Sequence, residues 1–168
     1  MKRLLTVITA LTAALFTSEA ASDELKSVLK DLDSHIENSH IYVQQKQERI
    51  DQLRQKLEGA TCSDTYDINY SLFEEYQSFR YDSAYFYANR SLDLARQMND
   101  QDKMVRSRCA LVFCYMSSGL FLEAFDEMKK VDASKASPDV KKDYYALYNR
   151  LYYDASDFND TEGWSHEY

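Results

Sequence analysis

The sequence predicts an all-α fold: antiparallel helical pairs stacked as an α-solenoid, preceded by a long amphipathic helix. Three observations predict it. Glycine occurs three times and proline once in 168 residues, too few turn-formers for the hairpins of a many-stranded sandwich or barrel. Apolar residues recur at helical rather than alternating spacing from Leu25 onward. A short pattern also repeats, an aromatic three positions before an alanine, at Tyr81 and Ala84 and again at Phe121 and Ala124. The length suits one domain. With 45% apolar and 29% charged residues, the composition is that of a folded chain, not a disordered one. A formal charge of −8 argues against general nucleic-acid binding, which relies on cations to neutralise phosphates.

Residues 1–20 read as an address. Met1-Lys2-Arg3 is basic, Leu4 to Phe16 is uncharged and apolar, and the small residues Ser18 and Ala20 follow. That is the layout of a secretory signal peptide, with cleavage expected after Ala20 and an exported, periplasmic product. The apolar run is too short for a bilayer core of about 30 Å, so the mature chain is expected to cross no membrane. Export leads to oxidising conditions, where cysteines pair. The three here are Cys62, Cys109 and Cys114. The last two share a helix and point about 140° apart, so they do not bridge each other. Three reduced thiols are expected, with a bridge from Cys62, in a loop, to either of the others as the alternative.

Residues 21–59 form the long helix. Leu29, Ile36, Val43, Ile50 and Leu57 fall on one heptad position; Leu25, Leu32, Ser39, Lys46 and Leu53 fall on the second. This is an a/d stripe made to pack on another helix. With Ser39 and Lys46 interrupting it, packing within the chain is favoured over a dimeric coiled coil. Asn38-Ser39 is the weakest helical point, and Gly59 closes the helix. Residues 60–156 then read as helices at about 64–79 (capped by Ser63 or Asp64), 82–98, 102–117, 120–131 and 139–156. Ser137-Pro138 starts the last, because proline's missing N–H is no loss in a first turn. Residues 157–168, acidic and without an apolar period, read as a frayed tail.

Leu111, Tyr115, Gly119, Phe121 and Ala124 resemble, in register, the tetratricopeptide repeat (TPR). Arg108 stands at that pattern's tryptophan and Val131 at its later small residue. Ala84 and Ala124 lie further apart than one standard repeat, so an extended turn is expected near 97–103. The leader, the long helix and the segments "RYDSAYFYANRSLDLA" and "YYALYNRLYYDASDF" together resemble the periplasmic N-terminal portion of Bacteroidetes-type TPR regulators, over about residues 24–156. That resemblance implies a repeat array joined, in such regulators, to membrane and DNA-binding parts that lie outside this sequence.

No phosphate loop, HExxH, G-x-S-x-G or CxxC is present, so no enzyme, cofactor or metal is expected. Glu37 and His40 make half of a di-iron carboxylate motif, without the second half such sites need. Tyrosine is abundant, with 14 copies. The TPR register places Tyr66, Asn69, Phe73, Tyr76 and Gln77 on a concave groove. It adds Arg106, Cys109, Phe113, Met116 and Ser117 from the second unit, then Tyr145, Asn149 and Tyr152 from the third. Aromatic and amide groups on one face suit a peptide or protein segment. Two functions follow as expectations: an exported, non-enzymatic TPR interaction module, or the ligand-sensing portion of a membrane-bound transcriptional regulator. Tyr145, Tyr148, Tyr152 and Tyr153 of the last helix are expected to be exposed and to self-associate or bind a partner.

Overall fold

The computed structural model describes residues 23–160. The expected leader, its expected cleavage point Ala20 and most of the expected tail, Trp164 included, lie outside the described residues. Among the described residues there are seven helices and no strand. We number them α1 (23–37), α2 (Ser39–Lys56), α3 (Cys62–Tyr76), α4 (Tyr81–Met98), α5 (Gln101–Ser117), α6 (Phe121–Met128) and α7 (Pro138–Asp160). The chain divides into two units between Gln47 and Glu48.

In the first unit, helix is interrupted at Asn38. The Asn38 side-chain amide donates to the Ser34 carbonyl at 2.7 Å, a bond its own backbone N–H also makes at 3.1 Å. A side chain competing for a backbone acceptor is why asparagine weakens helix interiors. The apolar positions of residues 23–43 are exposed: Leu25, Leu29, Leu32, Ile36 and Val43 have 49–69% of their surface open. Over its first half the stripe is thus open along α1 and the start of α2.

The second unit begins on the same stripe. Ile50 is fully buried, and Leu53 and Leu57 pack against the same core. Helical structure stops after Lys56, and Gly59 takes φ +91° with open space where a Cβ would be. The left-handed backbone, not crowding, is what asks for glycine there. Thr61 caps α3, accepting from the Asp64 N–H at 3.2 Å while its hydroxyl donates to the Asp64 carboxylate at 2.7 Å. This reciprocal cap starts the helix earlier than the expected Ser63 or Asp64.

Turns of three to four residues or fewer join α3 to α6. Asn99 (φ +52°) ends α4, with the Asp100 N–H reaching back to the Ala95 carbonyl at 3.1 Å. Asp100 then caps α5 by accepting the Lys103 N–H at 3.0 Å. One asparagine and one aspartate thus make the whole connection. The expected extended turn near 97–103 is absent; the extra residues lie in the helices, 18 in α4 and 17 in α5. Gly119 (φ +74°) makes the corresponding turn between α5 and α6. Helix α7 continues to Asp160, past the expected end at 156.

Packing follows chain order: α3 on α4, α4 on α5, α5 on α6, and α7 on both α5 and α6. Small residues set the crossings. Ala84 and Ala88 of α4 are buried with Leu72, Leu92 and Leu111, and Ala124 of α6 with Val112, Met116, Met128 and Leu151. Burying each such leucine contributes roughly 1.5–3 kcal/mol. Tyrosines tie the pairs: Tyr85 and Tyr115 hydroxyls lie 3.1 Å apart across α4 and α5. Arg108, at the position where the repeat pattern has tryptophan, pairs with buried Glu127 of α6, which also receives Lys130 at 2.8 Å. The result is two layers, α3, α5 and α7 in one and α4 and α6 in the other, as in a TPR-like solenoid.

Candidate functional site

One face is lined by α3, α5 and α7. On α3, Asp67, Tyr70 and Glu74 fall at i, i+3 and i+7, which is one stripe of a helix. On α5 the matching residues are Lys103, Arg106 and Phe113; on α7 they are Asp143 and Arg150. Cross-helix bonds join them. The Lys103 ammonium lies 3.1 Å from the Asp67 carboxylate and 4.3 Å from the centroid of the Tyr66 ring. The Arg106 guanidinium lies 3.4 Å from the Asp143 carboxylate. The Arg150 guanidinium sits 5.6 Å from the Phe113 ring centroid, and Phe113 meets Phe73 edge-on at 6.4 Å. Each ion pair spans one repeat, 36 and 37 residues. Charge therefore alternates from helix to helix at equivalent positions.

A cleft of about 420 Å³ opens between α3 and α5, lined by Asp67, Tyr70, Ser71, Asp102, Lys103 and Arg106 among others. Burial pushes the Tyr70 phenol up, so it stays a neutral donor. The Glu74 carboxyl is raised by partial burial and by Glu75 beside it, against the pull of Arg106. Asp102 goes the other way: it accepts from the Ser137 backbone N–H at 2.8 Å and from that residue's hydroxyl, which hold its carboxyl below the usual range. This bond anchors the start of α7 to α5. Cys109, half-buried beneath the same face, is free and pushed up to about 12 by burial, the opposite of an activated thiol. Cys114 is free and buried.

The expected groove residues divide three ways. Tyr66, Asn69, Phe73 and Tyr76 are buried, each no more than 4% exposed; of the four, Tyr66 lines the α3–α5 cleft and the other three do not. The Tyr66 hydroxyl donates to the Lys103 carbonyl at 3.2 Å, and the Asn69 amide donates to the Thr65 carbonyl at 2.6 Å. Tyr76 stacks on Tyr87 at 5.6 Å. On α3, Asn69 and Phe73 precede Tyr70 and Glu74 of the groove face by one residue, a turn of about 100°, which exchanges the groove face for the core face. Gln77 lies past the end of α3 and lines a separate cleft of about 430 Å³ with Phe79, Tyr81 and Ser117. Arg106 and Phe113 do lie on the face, whereas Met116 is buried against α6 and α7.

On α7, Tyr145 and Asn149 are exposed on a different side from Asp143 and Arg150. Tyr152 turns to α6, its ring 4.9 Å from Phe125. Tyr153 is exposed, as Tyr145 and Tyr152 are, whereas Tyr148, expected to be exposed, is half-buried against the cluster around Met128 and Leu151. Asp67, Tyr70, Lys103, Asp143 and Arg150 escaped the sequence reading. Their signal was opposite charges recurring about one repeat apart. His40 turns its Nδ1 to the Glu37 carbonyl oxygen at 3.2 Å, not to the carboxylate. No helix among the described residues is long and apolar enough to cross a membrane.

A family model described as the SusR N-terminal TPR domain matches residues 36–168. No curated protein and no solved structure matches the chain.

Proposed function

The chain belongs to the family of SusR N-terminal TPR domains, and from that premise we propose that it is a non-enzymatic interaction module holding an extended, acidic and aromatic polypeptide segment on the α3–α5–α7 face. The observation that carries this is the ladder of alternating charge, Asp67 to Lys103 and Arg106 to Asp143. Both pairs are partly exposed, and such pairs contribute about 0–1 kcal/mol. A ligand carboxylate replaces Asp67 or Asp143 at little cost and keeps the cation satisfied. Phe113, Tyr70 and the Arg150 guanidinium offer apolar and cationic surface to aromatic side chains. The basic, apolar, then small-residue layout of residues 1–20 supports a place for this module outside the cytoplasm.

An array of extended peptides, acidic, basic and neutral, tests the proposal. Acidic aromatic peptides are expected to bind, and Arg106→Glu to weaken them at least tenfold. Arg96→Glu, an exposed α4 arginine paired with Asp93 at 3.1 Å, should bind as the native chain does. Equal binding by Arg106→Glu, or binding confined to basic peptides, overturns the assignment.

The second reading, the ligand-sensing portion of a membrane-bound regulator, is favoured by the matching family being described as an N-terminal domain. Reading the gene in frame beyond Tyr168 tests it: continuation into a membrane helix and a DNA-binding domain supports the sensor.

A further inference from the structure

The exposed residues of α1 and the first half of α2 form a line. Leu29, Ile36 and Val43 occupy heptad position a, and Leu25 and Leu32 position d. All five are 49–69% open to solvent, where exposed apolar residues are normally scattered singly. Val28 and Tyr42, both at g and at least half exposed, widen the line. The same register continues into Ile50, Leu53 and Leu57, which are spent on the chain's own core. One sequence feature thus has two fates, divided near Lys46.

We propose that the seam from Leu25 to Val43 is an interface with a second copy of this chain, paired as a parallel two-stranded coiled coil. The period chooses the partner: knobs find holes over several turns only in a helix repeating every 3.5 residues, and an identical helix supplies that match. Side-chain shape chooses the arrangement, since β-branched Ile36 and Val43 at a with leucine at d favour two parallel strands. Charge permits it. In parallel register the flanking g-to-e′ neighbours are Val28 with Asp33, His35 with His40, and Tyr42 with Gln47, and none opposes two like formal charges. Asp23, Glu24, Asp31 and Glu37 sit at b and c, away from the seam. Ser39 makes one polar layer, and Lys46 at d ends the pairing by setting two ammonium groups face to face. The helix is interrupted at Asn38 within this stretch, so the unbroken part, Leu25 to Ile36, is about 17 Å long at roughly 1.5 Å per residue, and the dimer is reversible.

Sedimentation of the purified chain across a concentration range, with and without residues 1–20, tests this. A concentration-dependent dimer is expected in both forms. Leu32→Lys with Ile36→Lys should sediment as a monomer while melting of the α3–α7 body is unchanged, because both positions are exposed. Tyr145→Lys with Tyr153→Lys, on the open side of α7, and Leu122→Lys, 80% exposed on α6, should stay dimeric. Oxidised Ile36→Cys should yield a peptide linked 36 to 36. The proposal is overturned by a monomer at every concentration, by a dimer that requires residues 1–20, by a dimer lost in the α7 variant and kept in the seam variant, or by a dimer lacking the 36–36 link.

Discussion

Ala124 has no exposed surface and lies among Val112, Met116, Met128 and Leu151. A leucine there adds three carbons to a filled space, and overpacking of this kind costs roughly 1–3 kcal/mol. Ala124→Leu is therefore expected to lower the urea midpoint with an unchanged slope; an unchanged midpoint would mean that α5 and α6 do not depend on that close approach. Such alanines were legible in the sequence because their smallness is itself the reason for the site: a repeated small residue after a fixed aromatic marks where helices cross. The groove was less legible. Tyr66 lines the cleft beside Asp67, but Asn69 and Phe73, with the right residue types, are separated by one residue of register from Tyr70 and Glu74. On a helix with polar aromatics on several sides, periodicity alone does not say which tyrosine faces water. Arg108 was a visible departure from the repeat pattern. Its partner, buried Glu127, lies on the next helix, and only the fold joins them.

Among the elements, helix existence was legible throughout, the ends of α4 and α5 to within one residue, and the ends of α3, α6 and α7 less closely. The length of the turn between α4 and α5 was not legible, and Asp100 illustrates why. Asn99 and Asp100 fall within the extended turn expected near 97–103, but the structure gives each a terminal job, Asn99 the left-handed close of α4 and Asp100 the cap of α5. Two adjacent caps remove the need for any linker. Asp100→Ala should cost about 1 kcal/mol through the lost cap, seen as a lowered urea midpoint for the whole array, while Asp100→Ser should keep most of it. Equal loss in both variants would assign the effect to something other than the cap. The heptad stripe was legible as a stripe. Its division between exposed Leu25 to Val43 and buried Ile50 to Leu57 was not, because the pattern is the same on both sides of Lys46 and only the presence of α3 beside Ile50, Leu53 and Leu57 distinguishes them.

At the scale of the whole molecule, each helix from α3 onward packs on the next helix along the chain or the next but one. That pattern sets a clock. Contacts between near neighbours in sequence close small loops, whose entropy cost is low, and helical arrays of this type fold in microseconds to milliseconds. Rapid-mixing refolding of the chain should therefore be complete within about a few milliseconds; a dominant phase lasting seconds would contradict it. Ribosomes add only about 5–20 residues per second. The α3–α4 pair would thus close long before α5 has been made, and each later helix would arrive to find its surface already waiting. The order of synthesis becomes the order of assembly, and were residues 1–20 to send the chain across a membrane, it would have to be kept from closing during the seconds in which its own helices are ready to do so.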